Sequence, residues 1–125
     1  MVTLEQVSEI CESFPGSLPG DSERFGYSVI IKGSHKGFCW SWLERIDPKK
    51  ARIENRSVLA VRVPSLSAKE VILGANTDAY FTEPHYNGYP AVLVRLEEIG
   101  YEEMADLLRM AHESLTTSPK KSLKK

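Results

Sequence analysis

A two-layer α+β fold, with helices packed on one face of an antiparallel sheet, is what this sequence predicts. Three patterns carry that expectation. Apolar residues recur at helical spacing near both ends of the chain and once in the middle. Between them lie five short β-branched or aromatic segments bounded by Gly, Pro and Asn. Strands follow strands in runs, which favours hairpins over the crossovers of a parallel sheet. The expected order is α-β-β-β-α-β-β-α, with five strands.

The first helix is expected over 3–14. Thr3-x-x-Gln6 forms a capping box, Leu4, Val7, Ile10, Cys11 and Phe14 share a face, and Pro15-Gly16 stops the helix. Residues 16–26 read as a polar loop. Strands are expected at 27–32 and 36–43, with Gly33–Gly37 as their hairpin turn. The charged segment Glu44–Arg56 leads to a third strand at 58–63, ended by Pro64. A second helix over 67–75 has Ser67-x-x-Glu70 as its capping box and Val71, Ile72 and Ala75 as its apolar face. Strands at 80–82 and 91–96 flank a turn around His85. In the last helix, 101–115, Met104, Leu107, Leu108, Ala111 and Leu115 form a buried stripe. Residues 1–118 read as a single domain, and 119–125 as a basic, disordered tail.

Strand alternation assigns side chains to faces. In the third strand Leu59, Val61 and Val63 share one side and Arg62 takes the other. In the last strand Val92, Val94 and Leu96 oppose Ala91, Leu93 and Arg95. In the second strand Phe38, Trp40 and Trp42 fall together, opposite Cys39, Ser41 and Leu43. Two placements remain open for these aromatics. They lie beneath the helices as core, or on the uncovered face beside Arg62 and Arg95, where rings and guanidinium planes suit stacking on nucleobases.

Composition narrows the class. The chain has 125 residues, 42% hydrophobic and 26% charged, enough for one core without metals or disulfides. No apolar run approaches the ~20 residues of a membrane span, and the first residues lack the basic and apolar regions of a signal peptide. A cytoplasmic location without membrane partners is the expectation, with Cys11 and Cys39 as reduced core thiols. The net charge of −1 hides a basic tail: Pro119–Lys125 holds four of the 16 basic residues, leaving 12 basic against 17 acidic side chains in the body. That balance does not fit a dedicated duplex-DNA binder. Arg45, Lys49, Lys50, Arg52 and Arg56 nevertheless concentrate cations within twelve residues, diluted by Asp47 and Glu54. They read either as a phosphate-contacting loop or as a solvated linker.

The densest cluster of ligand-type side chains is Phe81-Thr-Glu-Pro-His85-Tyr-Asn-Gly-Tyr-Pro90, which runs into Ala91-Val-Leu-Val-Arg-Leu96. Glu83, His85, Tyr86, Asn87 and Tyr89 sit within a few residues of a strand edge, so their polar ends are expected to converge on one concavity. His85 is read either as a turn-shaping residue or as part of a Glu–His pair. His35 falls in the hairpin and His112 beside the buried stripe. No residue assembles into a recognisable catalytic set, no histidine spacing suits a metal, and no glycine loop suits a phosphate cofactor, so neither cofactor nor metal is expected.

Together with Gly37-Phe-Cys-Trp-Ser-Trp-Leu-Glu-Arg45 and Leu59-Ala-Val-Arg-Val63, this turn resembles the MmcQ/YjbR-like family of small bacterial proteins, over roughly residues 3 to 115. The resemblance implies the same element order and a fold similar to type III secretion chaperones, described also as double-wing-like. It implies DNA binding only by analogy of fold. His85, Tyr86 and Asn87 match the family pattern. Gly88 replaces a basic residue, and Tyr89-Pro90 stands where a His-Trp pair is usual. Three readings follow: a binding or regulatory module that contacts nucleic acid through an open sheet face and basic loop, a small-molecule-binding protein or minor enzyme at the His85 turn, and a chaperone-like partner-binding protein. The expected state is a monomer or weak homodimer.

Overall fold

The computed structural model describes residues 1–20, 25–44 and 49–116, with the side chain of His85 also outside the described set. Expectations for Arg45 and for the basic tail therefore fall outside the described residues. Three helices pack on an antiparallel sheet: α1 (Leu4–Glu12), α2 (Leu66–Ala75) and α3 (Tyr101–Thr116). The strands are β1 (Leu18–Pro19), β2 (Gly26–Ile31), β3 (Ser34–Glu44), β4 (Ile53–Arg62), β5 (Tyr80–Phe81) and β6 (Ala91–Arg95), in spatial order β1-β2-β3-β4-β6-β5. Among the described residues six strands replace the five expected. The extra one, β1, is a two-residue pairing of Leu18 and Pro19 with Ser28 and Tyr27, too short to show periodicity in a segment that reads as loop.

Local chemistry explains most boundaries. Thr3 caps α1 with the reciprocal box, its hydroxyl accepting from Gln6 N–H at 3.1 Å while Thr3 N–H donates to the Gln6 side chain at 3.0 Å. The cap of α2 is Ser65, not Ser67: its hydroxyl accepts from Ala68 N–H at 3.1 Å, so the helix begins at Leu66. The hairpin turn between β2 and β3 is tighter than expected. Lys32 and Gly33 both adopt positive φ (53° and 82°), and Ile31 pairs directly with Ser34. That is the two-residue turn whose twist matches the flanking strands. It leaves His35, Lys36 and Gly37 in β3. The charged connection is also shorter than it reads, because Ile53–Arg56 already belong to β4.

Cross-strand pairing builds two faces. Tyr27, Cys39, Val61 and Val92 form one row, and Ser41, Leu59, Val94 and Tyr80 the next. Apart from Ser41, these join Val7, Ile10 and Cys11 of α1 and Met104, Leu107, Leu108 and Ala111 of α3 in the main core. Ile72 and Leu73 of α2 pack against that core, whereas Val71, expected on its apolar face, is 72% exposed and Ala75 is also exposed. The opposite row is Gly26, Trp40, Ala60, Leu93 and Phe81, one residue from each of five strands.

Phe38 does not share a face with Trp40 and Trp42. Tyr27 pairs with Cys39 but Ser28 pairs with Gly37, so Phe38 is a bulge residue without a partner on β2. A bulge inserts one residue and inverts the alternation beyond it. Phe38 is consequently fully buried under the helices, its ring 6.2 Å from Phe14 and 5.6 Å from His112. The two tryptophans lie on the other face, each half-buried.

Candidate functional site

The face opposite the helices is not bare. The segment after β5 turns through a short 3-10 helix, Pro84–Tyr86, and lays Tyr86 back on the sheet. Tyr86 is buried with Val58, Ala60, Ala91 and Leu93 in a second, smaller cluster, against which Trp40, Trp42 and Phe81 pack. Trp40 Nε1–H donates to Tyr86 Oη at 3.0 Å, and Trp42 Nε1–H reaches a Glu83 carboxylate oxygen at 3.4 Å. Each of these bonds gives the N–H of a half-buried indole a protein partner. The turn therefore covers the middle of the face and leaves a rim of aromatic and cationic groups around it.

Both expected arginines are on that face, and each lies against a ring. Arg62 donates from Nε to Gly37 O at 3.0 Å and sits 6.0 Å from the Tyr89 ring centroid. Arg95 sits 4.1 Å from the Phe81 centroid and donates to Asp78 O at 3.2 Å. Among the described residues neither guanidinium has a carboxylate partner. Arg62 pairs across strands with Ala91, four residues before Arg95, which sets the Cα positions of the two arginines about 14 Å apart along the strand direction at the usual rise per residue.

Among the described residues the polar ends of the turn each have a partner of their own. Tyr86 Oη accepts from Trp40, Glu83 accepts from Trp42, Tyr89 Oη lies 3.5 Å from Arg62, and Asn87 Oδ1 accepts from Thr82 at 3.2 Å. The expectation for the His85 side chain falls outside the described residues. What holds the turn is a residue that sequence reasoning missed. Lys69 of α2 is only 5% exposed, and its Nζ donates to Tyr86 O at 2.5 Å and Tyr89 O at 2.8 Å. Burial pulls its pKa below the ordinary lysine value, because the ammonium gives up hydration. Its only sequence signal is its place one helical turn before Ile72 and Leu73, the residues of α2 that pack on the core.

Beside Trp40 the sheet surface dips into a shallow groove of about 190 Å³ lined by Gly20, Phe25, Gly26, Ser28, Gly37 and Trp40, among others. The indole leans over Gly37, where an added Cβ would come within 3.4 Å of Trp40 Cε3. Ser28 Oγ lies 3.4 Å from His35 Nδ1 on the same face.

The basic segment is partly neutralised. Glu54 accepts from Arg56 at 3.0 Å, from Phe25 N–H at 3.1 Å and from Ser41 Oγ. Arg52 spends one N–H on Leu43 O at 2.8 Å. Lys49 and Lys50 are exposed and engaged with neighbours. His112 is buried, with Nε2 2.8 Å from Pro15 O. Among the described residues no group of three His, Cys, Asp or Glu side chains is placed to hold a metal, and no helix is long and apolar enough to cross a membrane.

This arrangement of sheet, helices and turn has a counterpart among solved structures. The chain shares the fold of DR2400. That Deinococcus radiodurans protein carries the DUF419 domain, and the superposition has a TM-score of 0.69 at 19% identity, covering 99% of this chain and 89% of that one. In sequence the chain is 41% identical over 54 residues to the uncharacterized protein Mb2600 of Mycobacterium bovis, and equally to the uncharacterized protein Rv2570 of Mycobacterium tuberculosis. Each match covers 43% of this chain and 42% of the relative, so the chain spans less than half the length of these relatives. No family model matches the chain.

Proposed function

We propose that the chain is a non-enzymatic binding module that takes single-stranded nucleic acid across the sheet face opposite its helices. The observation that carries this reading is the pair Arg62 and Arg95, two guanidiniums on one face, each against an aromatic ring and neither with a carboxylate partner among the described residues. A guanidinium whose plane is braced by a ring loses little freedom when it meets a phosphate. Their spacing suits contacts to separate phosphates of one strand. Trp40, Trp42 and the exposed Tyr89 supply aromatic surface between and beside them, on which bases of any sequence stack. We infer also that the chain belongs with the MmcQ/YjbR-like proteins, a reading supported by its fold and by the His85-Tyr86-Asn87 turn. Lys49, Lys50, Arg52 and Arg56 have a secondary part in this reading, because Glu54 offsets part of their charge.

The test is fluorescence anisotropy of a labelled single-stranded oligonucleotide across a salt series. Binding should weaken as salt rises. The Arg62→Gln/Arg95→Gln double variant should lose affinity, with a log–log salt slope shallower by about 1.4 for two lost single-strand phosphate contacts. Absence of binding to both DNA and RNA strands at low salt, with the fold intact, refutes the proposal.

A further inference from the structure

Two thiols face each other inside the main core. Cys11 on α1 and Cys39 on β3 are 28 residues apart in sequence, yet their Sγ atoms lie 3.8 Å apart and both side chains are at most 1% exposed. Sulfurs in van der Waals contact need only side-chain rotation and a small approach of two elements to reach the ~2.05 Å of a disulfide. The pair is held by packing from two independent elements, not by a short motif, so its proximity is a property of the fold. The hydrogen bond with the facing Cys39 sulfur, followed by burial, pushes the Cys11 thiol far above its ordinary range. In the closed structure it is therefore protonated and unreactive.

We propose that Cys11 and Cys39 form a modification site, a dithiol that low-molecular-weight disulfides convert to an intramolecular disulfide when α1 lifts from the sheet. Helix α1, nine residues long, is the shortest of the described α-helices and carries Cys11, so local opening of this one element is enough to part the pair. Opening exposes a thiol to water, where it ionises near its ordinary value. The thiolate attacks the small disulfide, forming a mixed disulfide and releasing one small thiolate, which takes up a proton. While α1 is still lifted, the second cysteine gives up its proton and attacks the protein sulfur of the mixed disulfide. The Cys11–Cys39 bond forms and the second small thiol leaves. Two protein thiols are oxidised and one small disulfide is reduced to two thiols, with no other reactant. The product staples α1 to the strand that carries Trp40. Reversal by excess small thiol passes through the same opening.

The experiment uses the reduced full chain with excess oxidised glutathione at mildly alkaline pH, followed by alkylation and intact-mass measurement over time. The expected product lacks two hydrogens, carries no glutathione and takes up no alkyl group. Its formation should accelerate in sub-denaturing urea, because opening limits the rate. The oxidised chain should melt higher, by on the order of 10 °C, since the bond closes a loop of 28 residues. Cys11→Ser and Cys39→Ser chains should stop at a mixed disulfide with one glutathione. The proposal is overturned if the wild-type chain in sub-denaturing urea keeps both thiols or accumulates only mixed disulfides. It is equally overturned if the disulfide-bonded chain melts below the reduced one, which would mean that the fold resists the bond.

Discussion

Replacing Lys69 by Met removes the tie between α2 and the turn that covers the sheet, while keeping the length of the side chain. Two hydrogen bonds from an ammonium are lost, each worth roughly 1.5–3 kcal/mol. Two effects offset part of that loss. The buried charge no longer has to be desolvated, and the carbonyls of Tyr86 and Tyr89 keep their backbone donors, Tyr89 N–H at 3.0 Å and Ala91 N–H at 2.8 Å. Neither oxygen is orphaned, so the full penalty for an unmet buried acceptor does not apply. A net destabilisation of about 2 kcal/mol follows, or a melting temperature lower by about 8 °C for a domain of this size. The pH dependence gives a second signature. Burial lowers the folded-state pKa of Lys69 below 10.5. Between that lowered value and 10.5 the unfolded chain binds more protons than the folded one, so wild-type stability rises with pH through this window. Lys69→Met lacks that gain, and its deficit should widen from pH 7 toward pH 10. Circular-dichroism melts at several pH values measure both effects, and tryptophan fluorescence reports whether Tyr86 still meets Trp40. A Lys69→Met chain as stable as wild type at pH 7, with a deficit that does not grow with pH, would refute the assigned role.

Other perturbations test other parts of the fold. Tyr80 donates to Glu103 at 2.7 Å, and burial followed by that carboxylate raises its pKa above 10.0; stability held below pH 10 should be lost as pH rises beyond it, and Tyr80→Phe, costing about 1 kcal/mol at pH 7, should remove its share of that alkaline loss, as urea melts from pH 9 to 11 would show. Phe38→Ala should cost about 3–5 kcal/mol in denaturant unfolding, against clearly less for Trp42→Ala on the half-exposed face; equal costs would contradict the bulge assignment. Gly33→Ala has open space around it but a φ of +82°, so a loss of about 1 kcal/mol should come from backbone strain alone and leave the rest of the nuclear magnetic resonance spectrum unshifted.

Periodic signals survived the comparison of sequence with structure where a face is set by local repetition. The stripe of α3, the capping box at Thr3 and the alternation in β4 and β6 needed no knowledge of neighbours, and they placed Arg62 and Arg95 correctly. The aromatic segment of β3 failed because its alternation is broken by pairing. Nothing in Gly37-Phe38-Cys39 reveals that β2 skips Phe38, so its ring was expected to share a face with Trp40 and Trp42. Lys69 was invisible for a related reason. A lone lysine on a short amphipathic helix ordinarily reaches solvent, and only the return of the 82–90 turn encloses it. Tyr86 and Trp40 lie 46 residues apart, and the two thiols meet only because α1 and β3 share the main core. The candidate site was legible as a list of residues. Its arrangement, a covered centre with a cationic and aromatic rim, depends on long-range contacts that one-dimensional patterns do not contain.

The two outermost strands bear on how copies of this chain meet. A sheet edge is a row of unmet amides and carbonyls, and a long one recruits further strands. Here β1 offers Leu18–Pro19 and β5 offers Tyr80–Phe81, two residues each. Pro19 has no amide hydrogen to donate. Each outermost strand therefore has little of its own to offer an incoming strand. The longer open ladders lie one strand further in. β1 pairs only with Tyr27 and Ser28, so Val29–Ile31 of β2 run past it with no described strand beside them. At the other side β6 pairs with Val58–Arg62 and leaves the first half of β4 beyond it. Copies of this chain that join edge to edge would have to meet at one of these steps, and any broader association would have to use side chains on the faces.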